Sequence, residues 1–140
     1  MKAVDTNILI YAHRGGLPQH AAAKALLIDL AEAQERWAIP IFCLAEFLRV
    51  VTHPKFIPMF TIEEAVDAVE RLLESPSLEV LFPGERFLAL LFEAIADAKA
   101  TGNLVFDAQI VALCREAGVR ELITEDRDFR RFKDFVAVAL

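Results

Sequence analysis

One carboxylate inside an apolar run constrains this chain more than any other feature. Lys2-Ala3-Val4-Asp5-Thr6-Asn7-Ile8-Leu9-Ile10-Tyr11 is hydrophobic on both sides of Asp5. Burying an ionised carboxylate without a partner is costly. Asp5 is therefore expected where a strand stops and solvent, a cation or a helix N-terminus begins. Thr6 and Asn7 are good cap residues, so a helix is expected to open at Ile8. The run reads as a short central strand that delivers Asp5 to the rim of a sheet.

The same reasoning extends along the chain. His13 to Pro18 reads as a loop, and Gln19 to about Glu35 as a helix with an apolar face on Ala21, Ala25, Leu26 and Ile28. Trp37 to Pro40 is a strand candidate, followed by a helix from Ile41 to about Thr52 that ends before Pro54. Lys55 to Phe60 is an apolar loop. Thr61 and Glu64 form a capping box for a helix reaching about Glu74. Leu78 to Phe82 reads as an alternating strand, Glu85 to Thr101 as a long helix stopped by Gly102, and Leu104 to Ala117 as a helix capped by Asn103 with Gly118 beyond it. Leu122 to Thr124 and Phe135 to Val138 close the chain as strands, with a helical turn over Arg127 to Phe132 between them. Strands alternating with helices imply an α/β fold, its mostly parallel sheet covered on both faces. Ligands in such folds gather at the carboxyl ends of strands, where Asp5 and the residues after Ile123 are expected.

With 140 residues, 56% of them hydrophobic, one well-filled domain over 1–140 is expected. The net charge of -6 argues against indiscriminate nucleic-acid binding, although metal could neutralise the acids of a nucleic-acid enzyme. Cys43 and Cys114 lack ligand spacing and read as buried thiols of a reducing compartment. No run suggests a membrane span and no signal-peptide cleavage pattern is seen, so a cytoplasmic location is expected.

Three further acidic positions stand in unusual surroundings. Glu46 lies in a helix with almost no polar face, unless it is simply exposed and paired with Arg49. Asp107 shares a face with Leu104, Ile110, Val111 and Cys114, although the helix dipole alone would also favour an acid there. Asp126 or Asp128 in turn suits the cap of the turn after Ile123. Taken together, Asp5, Glu46, Asp107 and Asp126 occupy four separate elements. If they converge they repel one another unless a cation intervenes. With no clustered His or Cys, the oxygen donors suit Mg²⁺ or Mn²⁺ rather than zinc.

The ordered set of Asp5-Thr6-Asn7, helical Glu46, Asp107 and Thr124-Glu125-Asp126-Arg127-Asp128-Phe129 resembles the signature of PIN-domain ribonucleases. In order, spacing and length, the chain is most similar to VapC-type toxins of toxin–antitoxin pairs, over essentially its whole extent. The resemblance implies a three-layer α/β/α sandwich with a mostly parallel four- to five-stranded sheet. It also implies cleavage of RNA phosphodiester bonds by a metal-activated water. Asp5, Glu46, Asp107 and Asp126 would be the catalytic Mg²⁺ or Mn²⁺ ligands and Asp128 an outer ligand or support, with Asn7 and Thr124 orienting the acids. His13, Arg14, Arg49, Lys55 and Arg127 are candidate RNA contacts. A homodimer and a cognate antitoxin are implied partners. The loop Phe56 to Phe60 and the helix bearing Phe87, Leu88, Leu91 and Phe92 are candidate contacts for them. The alternative is a catalytically inactive PIN-like module that binds RNA or protein.

Overall fold

A computed structural model describes residues 1–140. The strands β1 (Lys2–Val4), β2 (Trp37–Pro40), β3 (Leu78–Leu81), β4 (Glu121–Ile123) and β5 (Val136–Val138) form one sheet. Its order is β3-β2-β1-β4-β5 and every pairing is parallel. The helices are α1 (Thr6–His13), α2 (His20–Glu32), α3 (Ile41–Val51), α4 (Ile62–Leu73), α5 (Phe87–Ala98) and α6 (Leu104–Glu116), with a 3-10 turn at Arg127–Arg131.

The chain steps outward from β1 to β3 through α1–α4, then returns across the sheet through α5 and α6 to β4. Right-handed crossovers put α1–α4 on one face and α5 and α6 on the other. The packing agrees: α1 lies on α2 and α3, α3 on α4, and α5 on α6. Because helices cover both faces, all four residues of β2 are buried, and the Trp37 indole N–H donates to Ser77 Oγ at 3.1 Å. Val4 of β1 pairs with Ile123 of β4, so the register sets the next residues, Asp5 and Thr124, side by side. The order of strands reverses between β1 and β4, which makes their carboxyl ends the switch point of the sheet.

Local signals are realised where they are self-contained. The capping box of α4 is formed in both directions, Glu64 N–H to Thr61 Oγ1 and Thr61 N–H to Glu64 Oε1. Elsewhere the chain departs from expectation. The first helix opens at Thr6 rather than Ile8, because Asp5 itself is the cap, accepting from Thr6 N–H at 2.8 Å. It also runs on through His13, which was expected in the loop. Asn103 precedes α6 in a helical conformation and makes no side-chain cap. The fifth helix stops at Ala98, short of Gly102: Lys99 turns left-handed (φ 50°) and Ala100 N–H bonds back to the Ile95 carbonyl. Cys43 and Cys114 are both free and buried. No helix is long and apolar enough to cross a membrane.

Candidate active site

Asp5 is 5% exposed and held from four directions. Thr6 N–H and the Cys43 thiol donate to its Oδ1, at 2.8 and 3.6 Å. Thr124 Oγ1 and the Asn7 amide donate to Oδ2, at 2.6 and 3.3 Å. The Thr124 hydroxyl in turn accepts from the Asn7 amide and from Asp126 N–H, at 3.2 and 3.0 Å. One hydroxyl thus ties the end of β1 to the acidic turn after β4. Burial raises the Asp5 pKa above the usual carboxylate value, and the Glu46 charge adds to this. The donors Thr124, Thr6 and Cys43 pull it the other way.

Asp5, Glu46, Asp107, Asp126 and Asp128 all line one cavity of about 390 Å³ at the switch point. Carboxylate oxygens of Asp107, Asp126 and Asp128 come within 4.8 Å of one another. Asp128, expected to sit further out, belongs to this closest trio, whereas Asp5 and Glu46 line the cavity outside it. Asp126 also caps the 3-10 turn, accepting from Asp128 N–H at 2.9 Å, so capping and clustering coexist in one side chain. On Asp107, burial is the largest influence, followed by the charges of Asp126, Asp5, Asp128 and Glu46. All raise its pKa, which is pushed up to about 7.

The surroundings of Glu46, though not its place in the cavity lining, differ from expectation. Its helix is apolar, yet its side chain is 46% exposed and lies 3.7 Å from Arg49, the exposed pairing that was the alternative. Its other oxygen accepts from Thr6 Oγ1 at 3.1 Å, a link that reading Thr6 only as a cap did not anticipate.

The candidate RNA contacts separate. Arg49 lines the acidic cavity. Lys55 lies with Arg49 and His53 in an adjoining depression. His13 does not reach the acids: its Nδ1 is 2.7 Å from the Leu9 carbonyl, and its ring packs on Phe47. Arg14 lies 4.8 Å over the Phe56 ring, and Arg127 is exposed outside the cavity lining. Phe56 is itself buried, which leaves Ile57 and Met59 as the exposed apolar residues of its loop. On α5, Leu88 and Phe92 are exposed while Phe87 and Leu91 pack against the core.

The donor set fits a hard divalent cation, because every candidate ligand offers carboxylate oxygen and three of them already converge. Comparison with known proteins gives the family. Residues 2–134 match the model of the PIN domain. The chain is 38% identical over 134 residues to ribonuclease VapC43 of Mycobacterium tuberculosis, covering 95% of this chain and 90% of the relative. Its fold is similar to VapBC2 from Rickettsia felis bound to a promoter DNA fragment, with a TM-score of 0.72, 20% identity and 99% and 97% of the two chains covered. It is also similar to Mycobacterium tuberculosis VapC20, a sarcin–ricin-loop-cleaving toxin, with a TM-score of 0.70, 18% identity and 96% and 98% coverage. The chain belongs to the PIN-domain family. Within it, the curated relatives that match along nearly their whole length carry the name VapC ribonuclease.

Proposed function

We propose that this protein is a divalent-metal-dependent endoribonuclease and the toxin of a toxin–antitoxin pair. The observation that carries the reading is the convergence of five carboxylates from four parts of the chain on one cavity at the sheet's switch point. Asp5, Glu46, Asp107 and Asp126 would hold Mg²⁺ or Mn²⁺, with Asp128 supporting them or sharing the ion. The cation, when bound, would offset the charge of the phosphodiester and make water a stronger nucleophile at neutral pH.

The chain's own contributions follow from its geometry. Thr124 and Asn7 fix the Asp5 carboxylate, and Thr6 fixes Glu46, so two of the acids are oriented before any ligand arrives. Burial and four neighbouring carboxylates destabilise the charged form of Asp107, so a cation held there would relieve the strongest repulsion in the cavity. Arg49 supplies positive charge at the cavity edge for a phosphate of the RNA. The exposed apolar residues Leu88, Phe92, Ile57 and Met59 offer surface for the antitoxin or a second copy of the chain.

Purified protein tested on RNA with Mg²⁺ or Mn²⁺, beside EDTA and an Asp5→Asn control whose folding is verified by circular dichroism, decides the matter. Cutting that needs metal and disappears in Asp5→Asn is the expected result. Cutting that survives the substitution would overturn the acidic site. Binding of RNA without any cutting would favour the inactive module.

A further inference from the structure

Beside the acids, sharing only Glu46 with them, runs an apolar groove of about 280 Å³ between α3 and α6. Phe42 and Ala45 form one wall. Phe106, Gln109 and Ile110 form the other. The spacing on each helix keeps these residues on a single face. Phe106 is 64% exposed, so core packing does not explain a large aromatic there, directly before Asp107. The core side of α6 is filled by Ala108, Val111 and Cys114 instead. The groove is continuous with the acidic cavity, because Glu46, Arg49, Phe106 and Ile110 line both. Arg49 also borders the depression that holds His53 and Lys55, so it stands where an acidic, an apolar and a basic hollow meet.

We propose that this groove is a nucleobase subsite, in which one unpaired base of the RNA lies against the Phe106 ring beside the phosphate facing the acids. The proposal rests on the nuclease reading and names a determinant of its substrate. An aromatic face with a cation at its rim matches a nucleotide, whose base is flat and apolar and whose phosphate is anionic. The Gln109 amide offers a donor and an acceptor towards the edge of the base. A base within a duplex has both faces covered by its neighbours, so the subsite selects single-stranded or looped RNA. Tolerance of different bases comes from Phe106, and any preference among them from Gln109.

The test uses the full chain carrying Asp107→Asn, in Mg²⁺, so that binding is read with little or no cutting; gels confirm that the RNA stays intact. Short single-stranded RNAs, each with one abasic residue at a successive position, are titrated by fluorescence anisotropy with and without Phe106→Ala. The side chain's exposure makes this substitution safe for the fold. Phe106→Ala is expected to raise Kd on base-bearing RNA roughly tenfold or more. At one position, the abasic residue is expected to weaken binding equally for the parent and to add nothing in Phe106→Ala, while Phe106→Trp restores affinity. An unchanged Kd, or equal abasic losses in both proteins, overturns the subsite. So does a change in solution mass on Phe106→Ala, which would assign the ring to a protein contact. Should the binding pattern appear while the native chain never cuts RNA in Mg²⁺ or Mn²⁺, the nuclease reading falls and the subsite stands. No RNA binding by any of the proteins overturns both.

Discussion

Asp107→Asn is expected to stabilise the metal-free protein while removing its function. The Asp107 carboxyl is displaced from 3.8 to about 7 on folding, so between these values the folded state holds a proton that the unfolded state has lost. Stability from this group therefore falls as pH rises from about 4 to about 7, and is level above that. At about 1.36 kcal/mol per pH unit the displacement bounds the effect at roughly 4 kcal/mol. Asp107 is only half buried, and screening by solvent reduces this to about 1–2 kcal/mol. Asparagine matches the protonated acid in shape and never ionises. In EDTA at pH 8 it should raise Tm by roughly 3–8 °C over the native chain, with the advantage shrinking towards pH 4. Added Mn²⁺ should reverse the order, since an ion that binds only the folded native site stabilises it by mass action. Thermal unfolding of both proteins across pH, with EDTA and with Mn²⁺, measures every part of this. The difference between the two proteins is what matters, because groups outside the acidic cluster titrate equally in both, and the four acids coupled to Asp107 gain from its neutralisation in the same direction. An Asn variant less stable than the native chain at pH 8 in EDTA, or a difference that does not change with pH, would refute the reasoning.

Two other substitutions separate site from scaffold. Thr124→Val keeps the shape but deletes a hydroxyl that donates to Asp5 and accepts from Asn7 and Asp126. It should cost about 1.5–3 kcal/mol in urea unfolding and weaken Mn²⁺ binding about 10–100-fold by titration. A loss in neither would mean that Thr124 does not orient the acids. Lys99→Gly relieves a left-handed residue at the end of α5 (φ 50°). It should add roughly 0.5–1 kcal/mol of stability, seen as a higher Tm with RNA cleavage unchanged.

The elements legible in the sequence are those whose signals are local. Trp37 to Pro40 reads as a strand because it is a short apolar run ending at proline, and α4 reads from Thr61 and Glu64 alone. The α5 terminus is not legible: Ala98-Lys99-Ala100 carries no stop residue, and the helix ends on a left-handed Lys99 with Ala100 N–H bonded back to the Ile95 carbonyl, a conformation that the sequence there does not announce. The acids could be picked out by their apolar neighbours, but their distances could not. Thr124 meets Asp5 across 119 positions only because β1 and β4 are adjacent and in register. For Glu46 the apolar helix misled, since α3 leans its Phe42–Arg49 face towards a groove instead of the core. Phe106 is not legible for the converse reason. An aromatic off the core face of α6 is a signal only once that face is known to border the acids.

Within the cavity, the acids are not equivalent, and the difference lies in who donates to them. Asp5 is the most buried, yet four donors reach its two oxygens, so the surrounding fold offsets much of what burial costs a carboxylate. Every influence on Asp107 acts in one direction, from burial through four neighbouring carboxylates. Asp5 is thus built into the scaffold as a helix cap and strand terminus, and its loss should disturb folding as well as chemistry. Asp107 stands one turn into α6 with its charge uncompensated by the chain. A cation entering this cavity would gain most from Asp107 and be positioned most firmly by Asp5. The two demands of a metal centre, strong attraction and fixed geometry, therefore fall on different residues.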